Sequence, residues 1–94
     1  IQTTSWVKAK NSDERWAKIK ANMSAFAARD LKLNDEVYTS EVNDNKRNQA
    51  ISKLLDAYGR MGSDPLEATT VYTKQCSLNV SSHDLAVMAS VLAN

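Results

Sequence analysis

The run Ser63-Asp64-Pro65-Leu66-Glu67 opens a helix by three separate signals. Asp64 is an N-cap whose carboxylate can accept from a first-turn amide. Pro65 at the first helical position gives up an N–H that would be unpaired anyway. Glu67, three residues after the cap, completes a capping box. The helix it starts carries Leu66, Val71, Tyr72 and Cys76, and Cys76 is expected to be a small core residue. Downstream, Ser81 with Asp84 is a second capping box, opening a last helix with Leu85, Met88, Ala89 and Leu92. Upstream, Ile51, Leu54, Leu55 and Tyr58 recur at helical spacing and end near Gly59 and Gly62, which suit a C-cap.

The same grammar continues toward the N-terminus. Asn34 can cap a short helix opening with Asp35 and Glu36. Asn43-Asp44-Asn45 is weak for helix, because these side chains compete for backbone hydrogen bonds. Ser12 is the expected N-cap of a helix from about Asp13 to about Arg29, with Trp16, Ile19, Met23, Phe26 and Ala27 as its core stripe. Residues 1–10 start apolar and uncapped and read as the end of a helix. The expected fold class is therefore all-α: five or six short helices packed as an irregular bundle, one unit over 1–94, with no convincing strand. Only two Gly and one Pro leave little material for the turns of an all-β fold.

Composition removes several functions. One Cys and one His cannot build a zinc site, and one Cys allows no internal disulfide. Two glycines cannot make a phosphate-cradling loop. No apolar run approaches the ~20 residues that span a bilayer, and no secretory signal pattern is present. Metal and cofactor are expected to be absent. Residues 1–20 carry a local excess of three positive charges, and 30–45 a local excess of four negative ones. The basic end is either a solvated helix face or a surface for an acidic partner or nucleic acid.

Three candidates for chemistry stand out. Ser5-Trp6-Val7-Lys8 matches Ser-x-x-Lys, in which a lysine one turn on can take the serine proton. Ten Ser and eight Lys in 94 residues make about one such pair by chance, so Ser5 is expected not to be a nucleophile. His83, beside a helix cap, reads as solvent-facing. Glu41 and Asn48 are seven residues apart. They share one face if the helix is continuous, and flank a corner if Asn43–Asn45 breaks it. A converging carboxylate and amide suit an ammonium and a polar group; ordinary surface polarity is the other reading.

Four separated blocks then align the chain with a known family. Ser40-Glu41, Lys46-Arg47-Asn48-Gln49-Ala50-Ile51, Val71-Tyr72-Thr73-Lys74-Gln75-Cys76-Ser77 and Asp84-Leu85-Ala86-Val87-Met88-Ala89 with Leu92-Ala93-Asn94 resemble the serine-dependent glutaminases, in order and at family spacing. The resemblance covers essentially the whole chain. It implies hydrolysis of L-glutamine to L-glutamate and ammonia. It also implies a β-lactamase-like α/β enzyme of which these residues are the helical subdomain. The Ser-x-x-Lys nucleophile would lie upstream of Ile1. The chain would begin after the family's Asn-Ala-Gly-Ala segment and end before the glycines that follow Asn94, so 1–94 is expected to be a piece of a longer chain. No catalytic residue is expected within it. Glu41 would hold the substrate α-ammonium, Asn48 the α-amino-acid end, and Tyr72 would also contact substrate. A buried zwitterion needs such partners, since an unpaired buried charge is costly. The implied partners are glutamine or glutamate, the α/β part of the same chain, and further copies in a homo-oligomer (dimer or tetramer), in the cytoplasm, with neither nucleic acid nor membrane. The competing expectation is a stand-alone helical module binding through its basic 1–20 face.

Overall fold

A computed structural model describes residues 1–93; Asn94, expected to close the last motif, lies outside the described residues. Six helices follow in order: α1 (Gln2–Ser5), α2 (Ser12–Ala27), α3 (Asp35–Asn43), α4 (Lys46–Ala57), α5 (Pro65–Cys76) and α6 (Ser82–Ala93). Helix α5 is the hub. It packs against α1, α2, α3 and α4, while α6 packs on α2. Among the described residues the only extended pairing is an antiparallel bridge between Leu33 and Leu78. There the Asn34 N–H donates to the Ser77 carbonyl and the Asn79 N–H to the Lys32 carbonyl.

The caps follow the sequence closely. Asp64 accepts from the Glu67 amide at 3.1 Å and Asn34 from the Val37 amide at 3.0 Å. Ser81 and Asp84 form the reciprocal box, with Ser81 N–H donating to Asp84 Oδ2 and Asp84 N–H to Ser81 Oγ. Gly59, at φ +70°, ends α4 in the left-handed conformation that costs glycine nothing. One cap is shifted. Asn11, not Ser12, accepts from the Glu14 amide, and α2 stops at Ala27 because Ala28 turns left-handed at φ 56°. The N-terminal helix is a single turn. Past it, Trp6 donates its indole N–H to the Arg60 carbonyl, and its ring lies so close to Gly62 that a Cβ there would meet it at 2.6 Å. Gly62 is thus kept for room, not as the expected C-cap.

The interior is built from small and hydroxylated residues. Ala68, Thr69, Val71 and Thr73 of α5 are buried, with Ile19, Ala27 and Leu31 around them. Each buried hydroxyl needs a partner. Thr69 donates to the Pro65 carbonyl, Thr73 to that of Thr69, and Ser77 to that of Thr73, all at 2.8 Å. Ser52 of α4 lies 2.5 Å from Thr69 Oγ1. The single Thr69 proton goes to Pro65, so Ser52 is the donor.

This packing sets which face of α4 is inward, and it corrects the core stripe expected of α2 at Phe26, which is exposed. Ser52 faces α5, and Ile51, Leu54 and Tyr58 face outward. Two small hydroxylated residues let α4 and α5 approach where the larger apolar side chains would not fit. Phe26, Leu85 and Leu92 are also exposed, and so is Cys76. Cys76 ends α5 on the side away from Val71, so the expectation of a core thiol fails.

Two contacts hold the outer helices. Lys74 of α5 places its ammonium 5.9 Å from the Trp16 ring centroid and 5.8 Å from that of Tyr38, tying α2 and α3 to α5. Arg29, just beyond α2, makes a bidentate pair with the buried Asp84 carboxylate, its Nε donating at 2.6 Å. Arg29, then the Ser81 amide, hold the Asp84 carboxyl well below its usual 3.8. A depressed carboxylate stabilises the fold fully above its unfolded pKa, and that contribution is lost as pH falls through the lower folded value. Thermal melts from pH 7 to pH 2 should show stability falling below the ordinary aspartate range. Asp84→Asn should be less stable at neutral pH, with a flatter acid limb; an unchanged slope contradicts the assignment. For the α4–α5 contact, Ser52→Leu should lower stability by about 1–3 kcal/mol through overpacking. Ser52→Ala should cost only about 1 kcal/mol. Denaturant midpoints check both, and equal midpoints would contradict the close approach.

Candidate functional site

The expected break between Glu41 and Asn48 is present. Helix α3 ends at Asn43, and Asp44 leaves the helix at φ −134°, ψ 50° while its N–H still reaches the Glu41 carbonyl at 3.2 Å. Asn45 is buried at the corner and accepts at Oδ1 from the Gln49 side-chain amide at 2.6 Å. Three residues that favour local side-chain hydrogen bonds thus end one helix and start the next. Glu41 stands in the last turn of α3 and Asn48 in the first turn of α4, on either side of the corner.

The two residues differ in surroundings. Glu41 is exposed. Among the described residues the ion pairs are Lys18–Glu14 and Arg29–Asp84, so no cation of the chain occupies the Glu41 carboxylate. Asn48 is half-buried and lines a polar cavity of about 340 Å³ with Asp44 and Arg47. The corner therefore offers amide, guanidinium and carboxylate groups together, a set able to bind a small zwitterion. Arg47 and Asp44 were not singled out from the sequence. The available signal was a cationic Lys46-Arg47 pair at the positive end of a helix dipole, an unfavourable placement that asks for nearby negative charge.

Tyr72 sits elsewhere. It is half-buried on α5 and lines a second cavity, of about 370 Å³, with Thr3 and Thr4 of α1 and with Ile19 and Met23 of α2. The Cys76 thiol one turn along, then burial, pushes the Tyr72 phenol pKa up. The two cavities share no lining residue. Among the described residues, then, Glu41 and Asn48 flank one corner and Tyr72 opens into a separate hollow. Both cavities lie at the small end of the roughly 300–1,000 Å³ that ligand sites occupy.

The remaining candidates have other occupations. Ser5 is buried; its Oγ donates to the Gln2 carbonyl and accepts from the Gly62 N–H at 3.0 Å. The helix ends at Ser5, so Lys8 is not one helical turn away, and the Ser-x-x-Lys match carries no nucleophile geometry. His83 is exposed, as expected. Of the basic N-terminal residues, Arg15 is buried and donates to the Val7 carbonyl, and Lys18 donates to the Lys8 carbonyl and pairs with Glu14. Two of the five charges of that face are thus engaged internally, which weakens it as a binding surface. No group of His, Cys, Asp and Glu among the described residues could hold a metal, and none of their helices is long and apolar enough to cross a membrane.

Comparison with known proteins places this arrangement. The family model described as Glutaminase matches residues 1–94. Glutaminase 2 of Yersinia pestis is 52% identical over 94 residues, covering 100% of this chain and 28% of the relative. A glutaminase of Bordetella avium is 50% identical over 99% of this chain and 30% of its own length. Among solved structures, the probable glutaminase YbaS superposes with a TM-score of 0.95 at 38% identity, over 98% of this chain and 30% of that one. The Bacillus subtilis glutaminase YbgJ, as a covalent complex with 5-oxo-L-norleucine, shares the fold at a TM-score of 0.92 and 23% identity, over 98% of this chain and 32% of its own. The chain spans less than a third of the length of these relatives. A family model matched over residues 1–94, with relatives about half identical across the whole chain, leaves one conclusion: the chain belongs to the glutaminase family.

Proposed function

We propose that these residues form the helical part of a glutaminase that converts L-glutamine and water to L-glutamate and ammonia. The observation that carries this reading is the family match over residues 1–94, with a named glutaminase 52% identical across the whole chain. Glu41 holds the substrate α-ammonium, Asn48 the α-amino-acid end, and Tyr72 contacts substrate from α5. Among the described residues no cation pairs with the Glu41 carboxylate, which suits it to a cationic ligand group. A substrate bridging the corner and Tyr72 would also need walls from outside the described residues.

The chemistry follows from the remainder of the enzyme. A serine outside this segment, activated by a lysine, attacks the side-chain amide carbon of glutamine. The tetrahedral intermediate collapses, the C–N bond breaks and protonated nitrogen leaves as ammonia. Water then attacks the acyl-enzyme and releases glutamate, returning the proton to the serine. That the Bacillus subtilis protein forms a covalent complex with 5-oxo-L-norleucine is in keeping with a nucleophile of this kind in the fold. The segment's partners in this reading are the α/β part of its own chain and further copies of the enzyme. The free Cys76 is in keeping with a reducing compartment, the cytoplasm.

Residues 1–94 alone should release no ammonia from glutamine; turnover by the purified segment would contradict the assignment of the nucleophile. In the full-length enzyme carrying this segment, Glu41→Gln should lower kcat/KM by about 10–100-fold, the effect of losing a charged hydrogen-bond partner, chiefly through KM. Near-normal steady-state kinetics would remove Glu41 from the site.

A further inference from the structure

Three threonine hydroxyls of α5 return to their own helix. Thr69, Thr70 and Thr73 each donate to the carbonyl four residues back. Thr4 of α1 does otherwise. It is 5% exposed, and its Oγ1 donates across to Gln75 Oε1 of α5 at 3.1 Å, a partner 71 residues along the chain. A buried hydroxyl must find a partner, and here the partner is a side chain of another helix. Gln75 is three residues after Tyr72, so the two lie on one face of α5. Both line the cavity of about 370 Å³, where Thr3 and Thr4 of α1 form one wall and Ile19 and Met23 of α2 another.

Helix α1 is a single turn of four residues, too short to hold its shape in isolation. Side chains fasten it at two places. At its C-terminal end Ser5 accepts from the Gly62 N–H, and the adjoining Trp6 donates to the Arg60 carbonyl, both ahead of α5. Beside the cavity, the Thr4–Gln75 bond ties it to α5 itself. We infer that Thr4 and Gln75 are positioning residues for substrate binding: their hydrogen bond fixes the α1 wall of the cavity that Tyr72 lines, and Gln75 acts through Tyr72 without touching the bound amino acid. A glutamine suits the place. It accepts the Thr4 proton without adding a charge to a cavity that a zwitterion approaches. Without the bond, α1 is free to withdraw and the phenol loses the surface across from it. Substrate and transition state then lose the same contact, so the cost falls on KM and not on kcat.

The inference rests on the reading of Tyr72 as a substrate contact, and the experiment separates the two. Steady-state kinetics with glutamine and melting temperatures are measured on the full-length enzyme carrying residues 1–94. Thr4→Val keeps the shape of the side chain and removes its proton. It should raise KM about 5–20-fold, the scale of one lost buried hydrogen bond, with kcat held within about twofold. Thr4→Ser, which keeps the hydroxyl, should recover most of that loss. Gln75→Leu should match Thr4→Val, and the double variant should be no worse than either, because all three lack the same bond. On a Tyr72→Phe background, Thr4→Val should add nothing further. A Tyr72→Phe enzyme with wild-type KM overturns the reading of Tyr72 and this inference with it. If Tyr72→Phe raises KM and Thr4→Val does not, the inference alone falls. A melting temperature that drops with KM unchanged, or effects of Thr4→Val and Tyr72→Phe that multiply independently, also overturn it.

Discussion

The hydrogen bond from Ser52 to Thr69 fixes how α4 lies on α5, and much of the molecule depends on that roll. Thr69 commits its own proton to the Pro65 carbonyl, so its oxygen can only accept. Ser52 must therefore point at α5. Once it does, Asn48, one turn earlier, is carried to the corner between α3 and α4, where it joins Asp44 and Arg47. The same roll turns Ile51 and Leu54 away from the bundle. A buried hydroxyl pair thus positions a candidate substrate residue and leaves an apolar surface free.

A hub helix lined with Ala, Thr and Val can take neighbours on four sides at close range, but it buries little large apolar surface. A chain of this length has a small margin to begin with. The fold therefore depends on satisfied polar groups: three hydroxyls returned to carbonyls along α5, a lysine held between two rings, and Asp84 neutralised by Arg29. The hydroxyl bonds form with the helix itself, the other two join distant elements, and each buried polar group is costly to leave unpaired. The exposed faces of α4 and α6 mark where further protein would add apolar burial.

Local signals in the sequence were legible because they act over three or four residues. Asp64, Asn34 and the Ser81–Asp84 box cap the helices as expected, Gly59 ends α4, and Asn43–Asn45 breaks the chain into a corner. Ser12 gave way to Asn11 because two adjacent residues could each cap, and only backbone geometry chooses between them. The orientation of α4 was not legible. Periodicity says that Ile51, Leu54 and Tyr58 share a face, not what that face meets, and for the same reason Phe26, expected in the α2 core stripe, is exposed. The Arg29–Asp84 pair joins residues 55 apart and leaves no local trace. For the site, the corner between Glu41 and Asn48 could be foreseen from its helix-breaking residues. Tyr72 could not; only its place in a family motif singled it out, and within the described residues it opens into a different cavity.

The central claim is that Glu41, Asn48 and Tyr72 converge on one amino-acid substrate once the rest of the enzyme is present. The most direct measurement is a crystal structure of the full-length enzyme with glutamate bound. The account predicts the Glu41 carboxylate within about 2.7–3.2 Å of the ligand α-ammonium, with the Asn48 amide and Tyr72 hydroxyl on the same molecule. A glutamate bound in the enzyme with its ammonium held by other groups, and the α3–α4 corner facing solvent, would contradict it.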